Sequence, residues 1–253
     1  MSSMYASIFG IPLDVLSKRE VTFRARLFLK GNSFHRIATV GPEFLLLARE
    51  SELFRRNLLA ADMCIPDGFG VTLVGWFRMR WIHRYPGSDL MEDILQEAER
   101  RHLSVFLAIW KDGLSSFEEI RKALRRKYPQ LNVVGNEFEV LKNGKWRAKE
   151  KDFSLNALSS HIVLCNFGAP EQEYFLESLR GRTKSVRLVM GVGGAFDFLT
   201  GNVIRAPRLF RMIGIEWLWR LLLQPKRWRR IWRAVVVFPL VVLKESCFGK
   251  NGG

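Results

Sequence analysis

The carboxylate of Asp67 stands in Pro66-Asp67-Gly68-Phe69-Gly70, directly after the apolar run Met63–Ile65. Glycines close behind a strand-end turn let a ligand approach the backbone, and a carboxylate presented there has the chemistry of a general base. The same position suits the N-cap of a helix beginning near Phe69, and local sequence leaves both readings open. A second glycine-bearing turn, Gly191-Val192-Gly193-Gly194-Ala195-Phe196-Asp197, also follows a strand-like run. Bare N–H groups in such a loop can point at phosphate oxygens, although the spacing is neither a Walker loop nor a full GxGxxG. Thr39 closes an earlier strand and offers a hydroxyl. Arg84, in His83-Arg84-Tyr85-Pro86-Gly87-Ser88-Asp89-Leu90, precedes a turn and a capped helix, where guanidinium and helix N-terminus can face one phosphate. Gln172 and Glu173 fall in the first turn of a helix after Asn166-Phe167-Gly168-Ala169-Pro170. A ligand contact and a simple capping role compete at that turn.

Other chemistries are missing from the pattern. The four histidines (His35, His83, His102, His161) form no HxxxH or Ser/His/Asp order, and Cys64, Cys165 and Cys247 form no CxxC. No metal site is expected, since an Asp-x-Asp pair to hold a divalent cation on a nucleotide diphosphate is also lacking.

The elements that position these residues follow from periodicity. Strands are expected at Phe9–Leu13, Arg36–Val40, Met63–Ile65, Ser104–Trp110, Leu131–Val134 and Ile162–Asn166. Helices are expected at Glu20–Leu29, Glu43–Leu59, Phe69–Arg78, from Ser88 toward Arg101, at Ser115–Tyr128 and near Ser154–Leu158. Alternating strands and helices predict an α/β, Rossmann-like domain with a mostly parallel sheet covered on both faces, over residues 1–200. In such sheets ligands bind at the carboxyl ends of the strands, where Thr39, Asp67, Gln172 and the Gly191 turn all fall.

Composition separates a second segment, 201–253. The chain of 253 residues carries a net charge of +15, and eleven of its Lys and Arg residues against two Glu lie in this tail, with four of its eight tryptophans. Arginine and tryptophan interleave on expected helices broken at Pro207, Pro225 and Pro239. Such a charge calls for an anionic partner: nucleotide, lipid phosphate, membrane surface or nucleic acid. No nucleic-acid-binding motif is visible, and nucleic acid is not an expected partner. The longest apolar run, Ala234–Leu243, is about half of the roughly 20 residues a spanning helix needs. The N-terminal stretch, interrupted by Pro12 and Asp14, does not read as a secretion signal. Three dispersed cysteines fit a reducing cytoplasm.

Taken together, these stretches resemble the WecG/TagA/CpsF glycosyltransferase family (glycosyltransferase family 26). The resemblance is carried by Ile8-Phe9-Gly10-Ile11-Pro12-Leu13-Asp14, Pro42-Glu43-Phe44, Ile65-Pro66-Asp67-Gly68-Phe69-Gly70-Val71 and Gly87-Ser88-Asp89-Leu90-Met91. It continues through Asn166–Glu173, Gly191–Phe198, Arg205-Ala206-Pro207 and Gly214-Ile215-Glu216-Trp217.

That resemblance implies an inverting, metal-independent, membrane-associated hexosyltransferase without a cofactor. It would move a sugar from a UDP-sugar to an undecaprenyl-diphosphate-linked sugar in bacterial cell-surface polysaccharide synthesis. Asp67 would be the base, and Thr39, Arg84 and Gln172 would line the pocket. The turns at Gly68 and at Gly191, Gly193, Gly194 and Asp197 are expected to hold the UDP-sugar. Arg205, Arg220, Arg227 and Arg230 of the appendage would meet the lipid diphosphate or departing nucleotide, against an anionic membrane surface on the cytoplasmic side. Members usually carry asparagine two residues after the pocket threonine; Gly41 stands there, so one expected sugar contact is absent. That departure keeps open a second reading, a non-catalytic nucleotide-sugar or lipid-binding subunit. The chain's state, monomer or homo-oligomer, is left undecided by the residues.

Overall fold

The structure, a computed structural model, describes residues 5–77, 82, 84–141, 145–149, 153–154 and 158–248. His83 and most of the helix expected at 154–158 lie outside the described residues. Those of that stretch that are described, 154 and 158, are not helical.

The chain opens with an antiparallel hairpin of β1 (Tyr5–Ile8) and β2 (Ile11–Asp14). The single strand expected from Phe9 is corrected here: Phe9 and Gly10 are the turn, both at positive φ (53° and 74°), as a two-residue hairpin of the I′ kind requires. Helix α1 (Lys18–Lys30) follows, started by a capping box in which Ser17 and Glu20 satisfy each other's backbone N–H. Next come β3 (His35–Val40), α2 (Pro42–Glu50), α3 (Glu52–Leu59) and β4 (Met63–Pro66). The one helix expected over 43–59 is two, because Ser51 leaves helical geometry and its hydroxyl accepts the N–H of Phe54, starting α3 afresh.

After α4 (Phe69–Phe77) and α5 (Gly87–Arg100), the chain forms β5 (Val105–Trp110), α6 (Phe117–Lys127), β6 (Val133–Val140) and β7 (Trp146–Ala148). Strand β6 runs well beyond the expected Val134 because it pairs along all of β5, and β7, with no expected counterpart, turns back on its far end. Then come β8 (Ile162–Cys165), α7 (Glu171–Ser178), β9 (Leu188–Gly191) and α8 (Ala195–Thr200).

Seven strands make one sheet in the order β4-β3-β9-β8-β5-β6-β7, parallel throughout except for β7. The expected α/β architecture with a mostly parallel sheet is thus the observed one. Strands β4, β8 and β9 are buried at every residue, the pattern of a sheet covered on both faces. Ile37, Met63, Ile65, Leu164 and Met190 point to one face and meet α1, α5, α6 and α8. Ala38, Val40 and Cys64 point to the other and meet the hairpin, α2, α3 and α4, with Val163, Cys165 and Val189 packing on α7 beside them.

The tail forms α9 (Arg208–Met212), α10 (Glu216–Leu223), a 3₁₀ turn at Pro225–Arg227, α11 (Trp228–Trp232), a π-helical turn at Arg233–Val237 and α12 (Phe238–Phe248). Pro239 does not break this last helix, contrary to expectation. It sits in the first turn after the π segment, where the Phe238 N–H already bonds five residues back to Arg233, so the ladder is rephased where proline has no N–H to give. The tail is not a detached arm. Phe238 and Val242 are buried in the same core cluster as Val40, Leu45 and Val71. Gly70 of α4 makes this approach possible, since a Cβ there would collide with the Ala234 carbonyl oxygen and come within 2.8 Å of Pro42. Among the described residues no helix is long and apolar enough to cross a membrane.

Candidate functional site

Four neighbouring strands, β4, β3, β9 and β8, end at one edge of the sheet, and the turns leaving them wall a cavity of about 780 Å³ closed over by the tail. Thr39, Asp67, Gly68, Arg84, Gln172, Gly191, Gly193 and Gly194 all line it, as do Arg220, Arg227 and Arg230 of the tail. Residues scattered over almost two hundred positions thus meet because parallel strands deliver their carboxyl ends to one side.

Asp67 lies on the floor. Its Oδ1 accepts the N–H of Gly68 at 2.7 Å and its Oδ2 that of Gly87, the first residue of α5, at 3.3 Å. Burial pushes its carboxyl above the ordinary aspartate range; the positive charge of Arg84 and the two N–H groups pull the other way, and Glu216 adds to the rise. Gly68 takes φ of 85°, a conformation that favours glycine, which lets the chain turn back over the carboxylate. Thr39 sits against the start of α5, where a Cβ on Gly87 would come within 3.2 Å of its hydroxyl.

Gln172 is held from behind. Its amide donates to Glu173 Oε1 at 3.1 Å and its Oε1 accepts the Gly168 N–H at 3.2 Å. Glu173 in turn pairs at 3.2 Å with the fully buried Arg36, which also donates to Asn57 at 2.8 Å. Burial raises the Glu173 carboxyl while Arg36 opposes the rise. Gly191 has to be glycine here: a Cβ would come within 2.7 Å of the Gln172 side chain and 2.8 Å of the Glu173 carboxylate.

The helices α2, α5, α7 and α10 begin at the cavity wall, and none is capped by the side chain of its own N-cap residue; at α5 the Gly87 N–H goes to Asp67 instead. The helices α1, α3 and α6 begin away from it and are capped by Ser17, Ser51 and Ser116. The positive ends of the α2, α5, α7 and α10 dipoles therefore face the cavity, where they suit an anion.

The tail adds charge. Burial and the neighbouring Arg227 and Arg230 hold the Arg220 guanidinium below its ordinary range, and burial with Arg230 does the same to Arg227. Arg220 lies over the Phe198 ring at 4.6 Å, and Arg230 pairs with Glu43 of α2 at 2.6 Å. Like charges crowded in this way are relieved by an anion of two or more charges.

Two expected ligand residues fall elsewhere. Asp197 does not line the cavity; its carboxylate accepts the Ser115 hydroxyl at 2.7 Å, tying α8 to the start of α6. Arg205 is also absent from the wall and is engaged by Asp89 and by Ser88, 3.0 Å away. Gly41 is at the wall, with nothing nearer to a Cβ than the Asp67 carbonyl oxygen at 3.4 Å. Glu216, Phe69 and Trp217 line the cavity too, and were not singled out as site residues from sequence. The run Gly214-Ile215-Glu216-Trp217 was their signal, a carboxylate at a helix start in an otherwise basic tail.

Fold and site define an α/β protein with a cationic cleft at the strand ends and the partly buried Asp67 carboxylate on its floor. The chain belongs to the Glycosyl transferase WecG/TagA/CpsF family, whose model matches residues 6–252. It is similar to the N-acetylglucosaminyldiphosphoundecaprenol N-acetyl-beta-D-mannosaminyltransferase of Bacillus spizizenii (strain ATCC 23059 / NRRL B-14472 / W23), 29% identical over 238 residues that cover 92% of this chain and 90% of that protein. The protein of the same name from Bacillus subtilis (strain 168) is 28% identical over 212 residues, 83% of this chain and 79% of its own.

Proposed function

We propose that this protein transfers a sugar from a UDP-sugar to an undecaprenyl-diphosphate-linked sugar, with inversion and without a metal ion. The observation that carries the reading is the meeting of Asp67 with Arg84, Arg220, Arg227 and Arg230 in one cavity. The names of the two Bacillus relatives support an N-acetylglucosamine-bearing lipid diphosphate as acceptor.

Asp67 takes the proton of the acceptor hydroxyl as that oxygen attacks the anomeric carbon, and the bond from this carbon to the UDP oxygen breaks on the opposite face. Its raised carboxyl suits the role, because a stronger base is a better proton acceptor. Negative charge developing on the departing UDP meets the arginines and the helix starts at the wall, which are in place at no cost of reorganisation. Thr39 and Gln172 orient the donor sugar, Gln172 through the buried Glu173–Arg36 pair. Metal independence rests on the arginines, which neutralise the departing diphosphate in the place a cation would take. The protein works as a peripheral enzyme on the inner face of the cytoplasmic membrane.

The test is UDP release from a panel of UDP-sugars by the purified protein, given a short-chain polyprenyl-diphosphate-N-acetylglucosamine acceptor in the presence of EDTA. Acceptor-dependent release with one donor is the expected result and names the sugar. Silence with every donor overturns the reading in favour of a binding subunit, and release only in added divalent cation overturns metal independence.

A further inference from the structure

Arg84 lies in a stretch, 84–86, that belongs to no helix or strand, so regular backbone structure does not aim its side chain. The chain is clamped just beyond it, where the Tyr85 N–H bonds to the Pro66 carbonyl at 3.2 Å and the buried Tyr85 ring packs inward. What holds the guanidinium is Glu216, in the first turn of α10, at 2.8 Å, with side chains only 13% and 15% exposed. The backbone before Glu216 is itself pressed on the floor of the cavity. Gly214 has φ of 80°, and a Cβ on it would lie 3.1 Å from the ring of Phe69, two residues beyond Asp67. Trp217 meets the same ring with centroids 6.4 Å apart.

We propose that Glu216 is a positioning residue for the transfer reaction: it holds Arg84 beside Asp67 and makes a correctly seated α10 a condition of a competent site. This deepens the reading above and rests on it. The geometry assigns a use to a carboxylate that is otherwise misplaced. A negative charge in a cavity meant for diphosphate weakens anion binding, yet Glu216 reaches from the tail to the loop carrying Arg84 through a short, nearly buried ion pair. The charges facing Asp67 are Arg84 from that loop and Glu216 and Arg220 from α10, with the Gly68 and Gly87 N–H groups. Glu43, Glu50, Arg227, Arg229, Arg230 and Arg233 complete the charged wall.

The experiment compares wild type, Glu216→Gln and Glu216→Asp as full chains in the UDP-release assay, across pH, with far-UV circular dichroism as the check on folding. Glu216→Gln removes a negative charge facing Asp67 and leaves the Arg84 charge unneutralised, and both changes favour the ionised carboxylate. The acid limb of its kcat profile is therefore expected at lower pH than that of wild type. Its kcat/KM is expected to fall by about tenfold to a hundredfold, because a misplaced group costs on that order. Glu216→Asp keeps the charge, and is expected to keep the wild-type limb and recover much of the rate. Wild-type rates and an unmoved limb in Glu216→Gln overturn the inference, as do equal losses in both variants with unmoved limbs, the signature of a merely structural pair. Should Glu216→Gln not fold, an Asp variant as inactive as a Glu216→Ala one overturns it. Silence of the wild type overturns the transferase reading itself, so the two failures are distinguishable.

Discussion

Replacing Asp67 by asparagine separates its chemistry from its place in the fold. The amide keeps an oxygen for the Gly68 N–H but cannot take a proton, so turnover is expected to drop by roughly 10²–10⁴-fold, measured as acceptor-dependent UDP release. The same substitution has a signed effect on stability. A carboxyl whose pKa is higher in the folded than in the unfolded chain loses stability for the protein as pH rises from the ordinary carboxylate range through the raised value. The amide also turns its NH2 toward the Gly87 N–H, a loss that does not vary with pH, so the melting temperature of Asp67→Asn relative to wild type is expected to rise as pH goes from about 4 to neutral. A difference that stays constant or falls over that range contradicts the raised carboxyl. At Gly191, alanine is expected to displace Gln172 and to cost about 1–3 kcal/mol through overpacking, read as a lower denaturant midpoint together with a raised KM for the donor. Residues of this kind were legible because they stand in turns directly after strands, where topology alone brings them to one edge. Asp197 was not, because it lies inside a helix and helical phase aims it at Ser115. Arg205 was not, because its partner Asp89 stands 116 residues earlier and no local pattern announces the pair.

Elements were legible where periodicity and a cap agree, as in α1 and α6, whose serine and glutamate boxes sit where the apolar spacing begins. They blurred where one residue overrides the pattern: Phe9 and Gly10 interrupt an apolar run as a turn, Ser51 divides a continuous helical pattern, and the π turn absorbs Pro239. The buried Arg36 links β3 to α3 and α7 through Asn57, Glu173 and Glu177, with nothing in its neighbourhood in sequence to mark it as internal. Replacing it by leucine leaves Glu173 charged and unpaired in the core, and is expected to cost about 3–5 kcal/mol in equilibrium unfolding. The loss should extend to the donor KM, since Glu173 orients Gln172. A second element-scale contact is Gly70. Alanine there meets the Ala234 carbonyl and the Pro42 ring, and the expected result is faster hydrogen exchange confined to 228–248 and a lower kcat, while the sheet stays protected.

For the whole molecule, the segment from Gly201 onward joins two functions that composition read as one. The apolar stretch 234–243 serves the protein's own core through Phe238 and Val242, so deleting the tail opens that core and reports on folding before it reports on membranes. The surface left to meet a bilayer is the outer side of the tail: Leu222 and Leu223 of α10, and Trp228 and Trp232, which are 54% and 55% exposed, beside the exposed Lys226. Indoles settle at the headgroup level, and each basic residue near an anionic surface contributes about 1 kcal/mol. Trp228→Ser with Trp232→Ser removes two such anchors without touching the core, and partitioning onto vesicles of anionic lipid is expected to weaken by tenfold or more, on the order of 1–2 kcal/mol for each half-exposed indole. UDP release from a detergent-dispersed acceptor should remain, because neither indole lines the cavity. Raising salt should weaken the wild type further, since the charge contribution is screened over about 10 Å at 0.1 M ionic strength. Vesicle binding that survives both the double substitution and high salt would place the anchor outside the tail, and the concentration of +9 of the chain's +15 there would then serve the substrate diphosphate rather than the lipid surface.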